Sequence, residues 1–435
     1  MSVVLKWGRG GLVMNPQLEE TRTLTVPNAS LPSIAILPLL QYPGQDSHWI
    51  LGAGQRVEEG MVVATGPDGN LHSPIPGLIE KITEMTLPGN FVTSAAQIRL
   101  EGSFTRSAEV KTPNSWESKS PKDLLKILKE SGVLFSSSAM GELKPVRENN
   151  AKKLVINGLQ SEPYLTVPFH LMANYQREIR EAILILQKIY QPETTFLALG
   201  PEAEILFKND PGPFTVVVSE NIFPNSHEKI LLKSLNYGEK NHGSDASEDH
   251  TLMVTLDTLY WVYDAVVWSN PVTEKFIAYG GHGFHHSGII KVKIGTPGAN
   301  IIQDCGGFRE TPDLILYGGL FLGKPLNALW NPVVKNTPGL LAMTAGEVNQ
   351  APESPCIRCG VCITHCPVGI KPVEIYLDLK FGDFAGAHDS GLKDCIECGI
   401  CSSVCPSRIP LMENFQDNLN KNLKSKFQNL ENRIG

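Results

Sequence analysis

Eight of the chain's nine cysteines lie between Cys356 and Cys405, in two runs of one spacing. The first is Cys356-x-x-Cys359-x-x-Cys362-x-x-x-Cys366-Pro367. The second is Cys395-x-x-Cys398-x-x-Cys401-x-x-x-Cys405-Pro406. Thiolates are soft ligands suited to iron, and two-residue gaps let a chain wrap one corner of a cubane so that three sulfurs reach three irons. The three-residue gap carries the fourth cysteine away, and the proline ends the loop by fixing φ and removing a donor. Gly360 and Gly399, each directly after a second cysteine, permit a tight turn. A zinc site uses four ligands in pairs, and a secreted disulfide protein spreads its cysteines along the chain. The chemistry expected is therefore that of two [4Fe–4S] clusters, and two clusters close together make a relay for single electrons.

Each run is similar to the motif of bacterial two-cluster ferredoxins, in which the fourth cysteine of a run serves the other cluster. That resemblance implies one cluster on Cys356, Cys359, Cys362 and Cys405, and a second on Cys395, Cys398, Cys401 and Cys366. The 28 residues from Pro367 to Asp394 separate the runs, and a helix over Val373–Lys380 is expected to shield the clusters. Cys305 stands apart in Asp304-Cys305-Gly306-Gly307 and reads as a small packing residue.

These ligands need a scaffold, and the chain has room for one. Its 435 residues suggest about three domains. With 42% hydrophobic and 19% charged residues it is not a disordered chain. The net charge of 38 − 45 = −7 argues against nucleic acid, which draws basic faces. The N-terminus MSVVLKWGRGGLVMNP is broken by Lys6, Arg9 and glycines and does not read as a signal peptide. No apolar run reaches the roughly 18–20 residues of a membrane span. A cytoplasmic protein is expected, peripheral on the inner face of the membrane, in a reducing compartment where thiols remain available to metals.

The fold class expected is multidomain α/β plus β modules. Residues 1–108 read as an all-β scaffold: Val57 to Gly66 and His72 to Ile79 alternate turn residues with β-branched pairs. The order resembles the barrel-sandwich modules of biotinyl and lipoyl carriers, but Asp68-Gly69-Asn70 stands where a carrier lysine would be. Residues 109–285 alternate helix and strand, which means a mostly parallel sheet. Ser120-Pro121 opens a helix that Gly132 closes. Strands are read at Lys153–Asn157, Phe196–Leu199, Phe214–Val218 and Leu252–Leu256, with helices over Pro168–Tyr190 and Leu259–Trp268. Residues 286–340 return to short strands, 341–412 hold the ferredoxin-like α-helical domain, and 413–435 form a tail. In that tail Phe415, Leu419, Leu423, Phe427, Leu430 and Ile434 recur at helical steps, for packing on its own domain or docking on a partner subunit or an anionic membrane surface.

Order and motifs together resemble the RnfC family, the C subunits of Rnf ion-translocating electron transport complexes. Asn157-Gly158 with Ser161-Glu162-Pro163-Tyr164-Leu165-Thr166 is similar to its "NGxxxEPYLT", and Phe223-Pro224 with Glu228-Lys229 to its "YPxGGEK". Gly295-Thr296-Pro297 and Gly318-Gly319-Leu320-Phe321-Leu322-Gly323 are similar to motifs of its SLBB β-grasp region. The resemblance implies membrane subunits as partners, a soluble carrier such as ferredoxin or NAD(H), and an FMN and NADH site in the α/β domain. Asn157, Glu162 and Glu228 are the residues retained for that site. The family's "GGAxFPT" loop is replaced by Ser136-Ser137-Ser138-Ala139-Met140-Gly141, however, and its glycine pair before Glu228 by Ser226-His227. Glycines there let backbone N–H groups approach a phosphate. The reading adopted is that the flavin pocket has decayed and that NADH oxidation by this chain is doubtful. A flavin-dependent cobalamin-reductase-like protein and a scaffolding subunit with structural clusters are the rivals. Gly280-Gly281-His282-Gly283-Phe284-His285-His286 reads as a linker, not a metal site.

Overall fold

The computed structural model describes residues 3–5, 8–18, 25–42, 44–102, 112–138, 143–148, 151–160, 162–207, 212–235, 250–348, 351–416 and 418. The chain divides into two compact units. Unit 1 holds residues 1–5, 15–221 and 225–348; unit 2 holds 6–14, 222–224 and 349–435.

Unit 1 begins with two small antiparallel sheets. One orders Ile34–Pro38, Phe91–Leu100, Gly77–Leu87 and Arg56–Val57; the other orders His48–Trp49, Val62–Gly66 and Gly69–His72. Alternate side chains, among them Leu37, Val63, Ile79 and Ile98, form the apolar interior. The hairpin tip at 66–70 is anchored, not free. Asp68 accepts from the Tyr42 hydroxyl at 2.5 Å, and Asn70 donates to the Glu130 carbonyl at 3.2 Å. A Cβ on Gly69 (φ 124°) would stand 2.6 Å from the Lys129 carbonyl oxygen. A tip pressed on a helix cannot swing, which suits the missing carrier lysine.

The α/β part is a five-stranded parallel sheet in the order Val3–Val4, Thr215–Val218, Thr194–Leu199, Lys153–Asn157 and Thr251–Thr255. Near-continuous Val, Leu and Ile in these strands fit burial on both faces. Ser120 and Asp123 form a capping box for the helix Pro121–Glu130, and Gly132 follows its end in the left-handed region. The helix expected over 168–190 is two, Val167–Asn174 and Gln176–Tyr190. Tyr175 breaks it (φ −126°), its ring packed edge-on to Tyr260.

A second five-stranded sheet orders Gly288–Lys293, Glu274–Gly280, Gly339–Met343, Leu314–Tyr317 and Lys324–Pro325, with the helix Gly298–Asp304. It starts before residue 286 because Glu274–Tyr279 pairs residue for residue with Gly288–Lys293. The histidine-containing segment is therefore the turn of a hairpin, not a linker between modules. His282 sits 3.5 Å from Glu347. Cys305 is buried in the core of this part, where burial pushes its thiol up to about 12.

Lys335 lies buried in unit 1, its Nζ donating to the Gly132 carbonyl at 2.5 Å, with no ion pair among the described residues. Burial pushes the ammonium down to about 7. An unfolded lysine titrates near 10.4, so between those values the unfolded chain binds the extra proton and stability rises with pH. The full span is worth on the order of 5 kcal/mol. Urea midpoints are expected to climb from pH 7 to pH 10 in the wild type and to climb less in Lys335→Met; equal slopes would assign the effect elsewhere.

Unit 2 packs short helices, Val361–Thr364, Pro372–Lys380, Phe384–Asp389 and Ile400–Ser403, around Ile375, Leu379, Leu411, Met412 and Phe415. Residues 411–416 are helical, and Phe415 is fully buried; the rest of the apolar stripe, from Leu419 onward, lies outside the described residues. A strap from the N-terminal region belongs to the same unit. Leu12–Val13 pairs with Ile222–Phe223, and the Gly11 N–H donates to the His365 carbonyl at 2.9 Å. A Cβ on Gly10 would stand 2.6 Å from that carbonyl oxygen, so only glycine lets the strap approach.

Candidate metal centre

The two cysteine runs build the same loop twice. Arg358 and Glu397, each two residues after a first cysteine, both take φ 54°, and Gly360 and Gly399 both take φ 75°. Single-turn helices follow, Val361–Thr364 and Ile400–Ser403. Left-handed residues turn backbone N–H groups inward. The Arg358 N–H points at Cys356 Sγ and the Glu397 N–H at Cys395 Sγ, both at 3.4 Å. Such bonds stabilise negative charge on sulfur and tune a cluster's potential. The signal for these positions was the repeated Cys-Ile-x-Cys-Gly, whose third residue gives no hint of its backbone.

Cys366, Cys395, Cys398 and Cys401 line one small hollow, walled by Ile396, Ile400, Met412 and Phe415. Burial pushes the Cys398 thiol up to about 12, against the Ile400 N–H, and the charges of Cys395 and Cys366 add to the rise. Four thiolates in an apolar hollow require compensating cations. Among the described residues no three His, Cys, Asp or Glu side chains form a group for a single metal ion. Four cysteines around one hollow match the ligand number of a four-iron cluster. At the first run, burial raises the Cys362 thiol, and the charges of Cys405 and Cys359 raise it further. Cys366 thus lies with the second run, and Cys405 neighbours the first.

The residues implied for a flavin make internal contacts instead. The Asn157 amide donates to the carbonyls of Ser137 and Ser226, both at 2.7 Å, and accepts from the Leu159 N–H at 3.3 Å. Glu162 is fully buried and accepts from the N–H groups of Phe321 (2.5 Å) and Leu322 (3.3 Å). Burial pushes its carboxyl up to about 7, against those two donors. Glu228 opens the helix Glu228–Leu235 and sits 3.5 Å from Lys144 Nζ. A phosphate needs inward N–H groups. The described parts of both serine loops instead turn the Ser137 and Ser226 carbonyls to Asn157, and these residues do not fit an FMN.

A family model described as the RnfC barrel sandwich hybrid domain matches residues 8–102, and one described as a 4Fe-4S dicluster domain matches residues 349–406. The C subunit of the ion-translocating oxidoreductase complex of Rhodobacter capsulatus is 31% identical over 427 residues, covering 94% of this chain and 82% of that one. The chain belongs to the RnfC family. The C subunit of the proton-translocating ferredoxin:NAD(+) oxidoreductase complex of Clostridium ljungdahlii is 27% identical, covering 85% of this chain and 83% of that one. The RnfC relative from Serratia proteamaculans is 28% identical, and this chain spans 60% of its length. Among solved structures, an NAD+-reducing [NiFe]-hydrogenase has a TM-score of 0.45 at 12% identity, over 68% of this chain and 60% of that one. As an RnfC-family member with a dicluster domain, the chain is an electron-transfer subunit of an Rnf-type complex. None of the helices among the described residues is long and apolar enough to cross a membrane.

Proposed function

We propose that this subunit relays single electrons through two [4Fe–4S] clusters without a flavin of its own. Cys356, Cys359, Cys362 and Cys405 hold one cluster; Cys395, Cys398, Cys401 and Cys366 hold the other. The observation that carries the reading is the apolar hollow walled by Cys366 together with three cysteines of the second run. When bound, the clusters supply one-electron chemistry. The chain's own residues supply thiolates, two inward N–H groups and exclusion of water by Ile396, Met412 and Phe415. The β modules, the second of them of the SLBB β-grasp kind, act as scaffold, and the subunit sits peripherally on the cytoplasmic face against membrane subunits. A soluble carrier, ferredoxin or NAD(H), stands at the other end of the path.

Against FMN stand the internal bonds of Asn157 and Glu162, whose polar groups are already met by the protein. Anaerobic purification is expected to yield about eight irons per chain, from two four-iron clusters, and flavin well below one per chain. NADH should then leave the visible spectrum unchanged. Stoichiometric flavin bleached by NADH would overturn the flavin-free reading, and about four irons would overturn the two-cluster one.

A further inference from the structure

The two cysteine loops share sequence and backbone but differ in exposure. Ile357 is 68% exposed, whereas its counterpart Ile396 is 8% exposed. Cys356 and Cys359 are exposed, and their counterparts Cys395 and Cys398 are half-buried and buried. Every residue from Ala351 to Cys359 is exposed. The charges differ as well. Arg358 is exposed and makes no ion pair among the described residues, while Glu397 at the equivalent position is held by Gln416 Nε2 at 2.9 Å. Arg408, also exposed, donates from Nε to the Pro352 carbonyl at 3.2 Å, and the Ser354 N–H donates to the Ser407 carbonyl at 2.8 Å, so a second arginine stands at the same rim. Glu353 is the one carboxylate within the exposed stretch. Arg9 lies by Gly369, in the loop after Cys366, so that side has an arginine too, and the difference in charge between the two cysteine loops is that of Arg358 against Glu397.

We propose that the first-run loop is the port through which this subunit exchanges electrons, and that it docks an acidic one-electron carrier protein around Ile357. An exposed apolar residue with one exposed arginine beside it and a second at the same rim has the anatomy of a transient interface, an apolar centre within a charged rim. Arg358 and Arg408 steer a carboxylate-rich face toward the exposed Cys356 and Cys359. In each encounter the partner's reduced centre loses one electron and this subunit gains it, with no proton or atom transferred. The second-run loop, covered by Met412 and Phe415, has no comparable access. The inference builds on the two-cluster reading.

The test uses the full chain, purified anaerobically with its clusters, and Arg358→Glu. The swap is conformationally conservative, because Glu397 already occupies the same φ of 54° in the equivalent loop. Reduction by an acidic bacterial ferredoxin, followed by stopped flow, should slow by about tenfold or more at low salt, and the difference should vanish at high salt. Oxidation of the reduced subunit by cytochrome c, a basic protein, should quicken instead. Arg309→Glu, the same charge change on an exposed turn of unit 1, should leave both rates within about twofold. Equal slowing with both probes, or equal effects of Arg358→Glu and Arg309→Glu, would overturn the port. Iron content and the two cluster EPR signals, read on the same samples, report the two-cluster reading separately.

Discussion

Replacing Cys366 with alanine is expected to remove iron from the second-run site and leave the first-run site loaded. Cys366 belongs to the first run by position but to the second by place, since it shares the hollow with Cys395, Cys398 and Cys401. The decisive measurement is iron per chain in paired variants. Cys366→Ala alone should fall from about eight irons to about four, and adding Cys398→Ala should take nothing more, because both act on one four-iron cluster. Adding Cys359→Ala instead should empty both sites. Uncrossed ligation reverses the pairs: Cys366→Ala with Cys359→Ala would then keep about four irons, and that result would sink the crossed assignment. Non-additivity is the useful readout, because residues serving one unit lose their effect together.

The dicluster domain is legible in the sequence because its motif is local: the gaps between cysteines are those with which a chain wraps a cubane corner. The cap at Ser120 and the parallel strands were readable for a similar reason, since capping and buried apolar runs depend on neighbouring residues. Asn157 and Glu162 were not readable in this way. A polar residue at a strand end has the same letter whether it meets a cofactor or the protein's own backbone. Only the fold reveals that Ser137, Ser226, Phe321 and Leu322 are the partners. The strand Glu274–Gly280 was missed because a short apolar run does not declare which sheet it joins, and its partner Gly288–Lys293 lies across a glycine- and histidine-rich turn that resembles a linker. The opposite exposures of Ile357 and Ile396 could not be seen at all, because the two loops carry the same motif and differ only in what covers them.

Gly319→Ala is expected to destabilise unit 1 more than any surface substitution, by on the order of 3 kcal/mol. A Cβ at position 319 would stand 2.3 Å from a carboxylate oxygen of Glu162, closer than any real contact. Glu162 is fully buried and cannot retreat without leaving the Phe321 and Leu322 N–H groups, which hold its two oxygens. Displacement therefore leaves a buried acid and two half-buried donors unmet, and an unmet buried group costs about 1–3 kcal/mol. Glu162→Ala should be costly by the same route, but it also removes the obstacle. In the double variant Gly319→Ala with Glu162→Ala the second change should then cost much less than it does alone. Urea unfolding of the four proteins measures this coupling as a double-mutant cycle. Simple additivity would mean that the glycine is not there to admit the carboxylate. The same carboxyl sets a pH dependence. Its folded value of about 7 lies above the ordinary glutamate value of about 4.3, so the folded state holds the proton longer and this contribution to stability falls as pH rises through that window. Glu162→Gln keeps the shape and cannot ionise, so its stability should decline less than the wild type's between pH 5 and 7. A contact to a flavin phosphate or ring would not produce that signature in flavin-free protein, whereas a carboxyl locked under the 318–323 loop must.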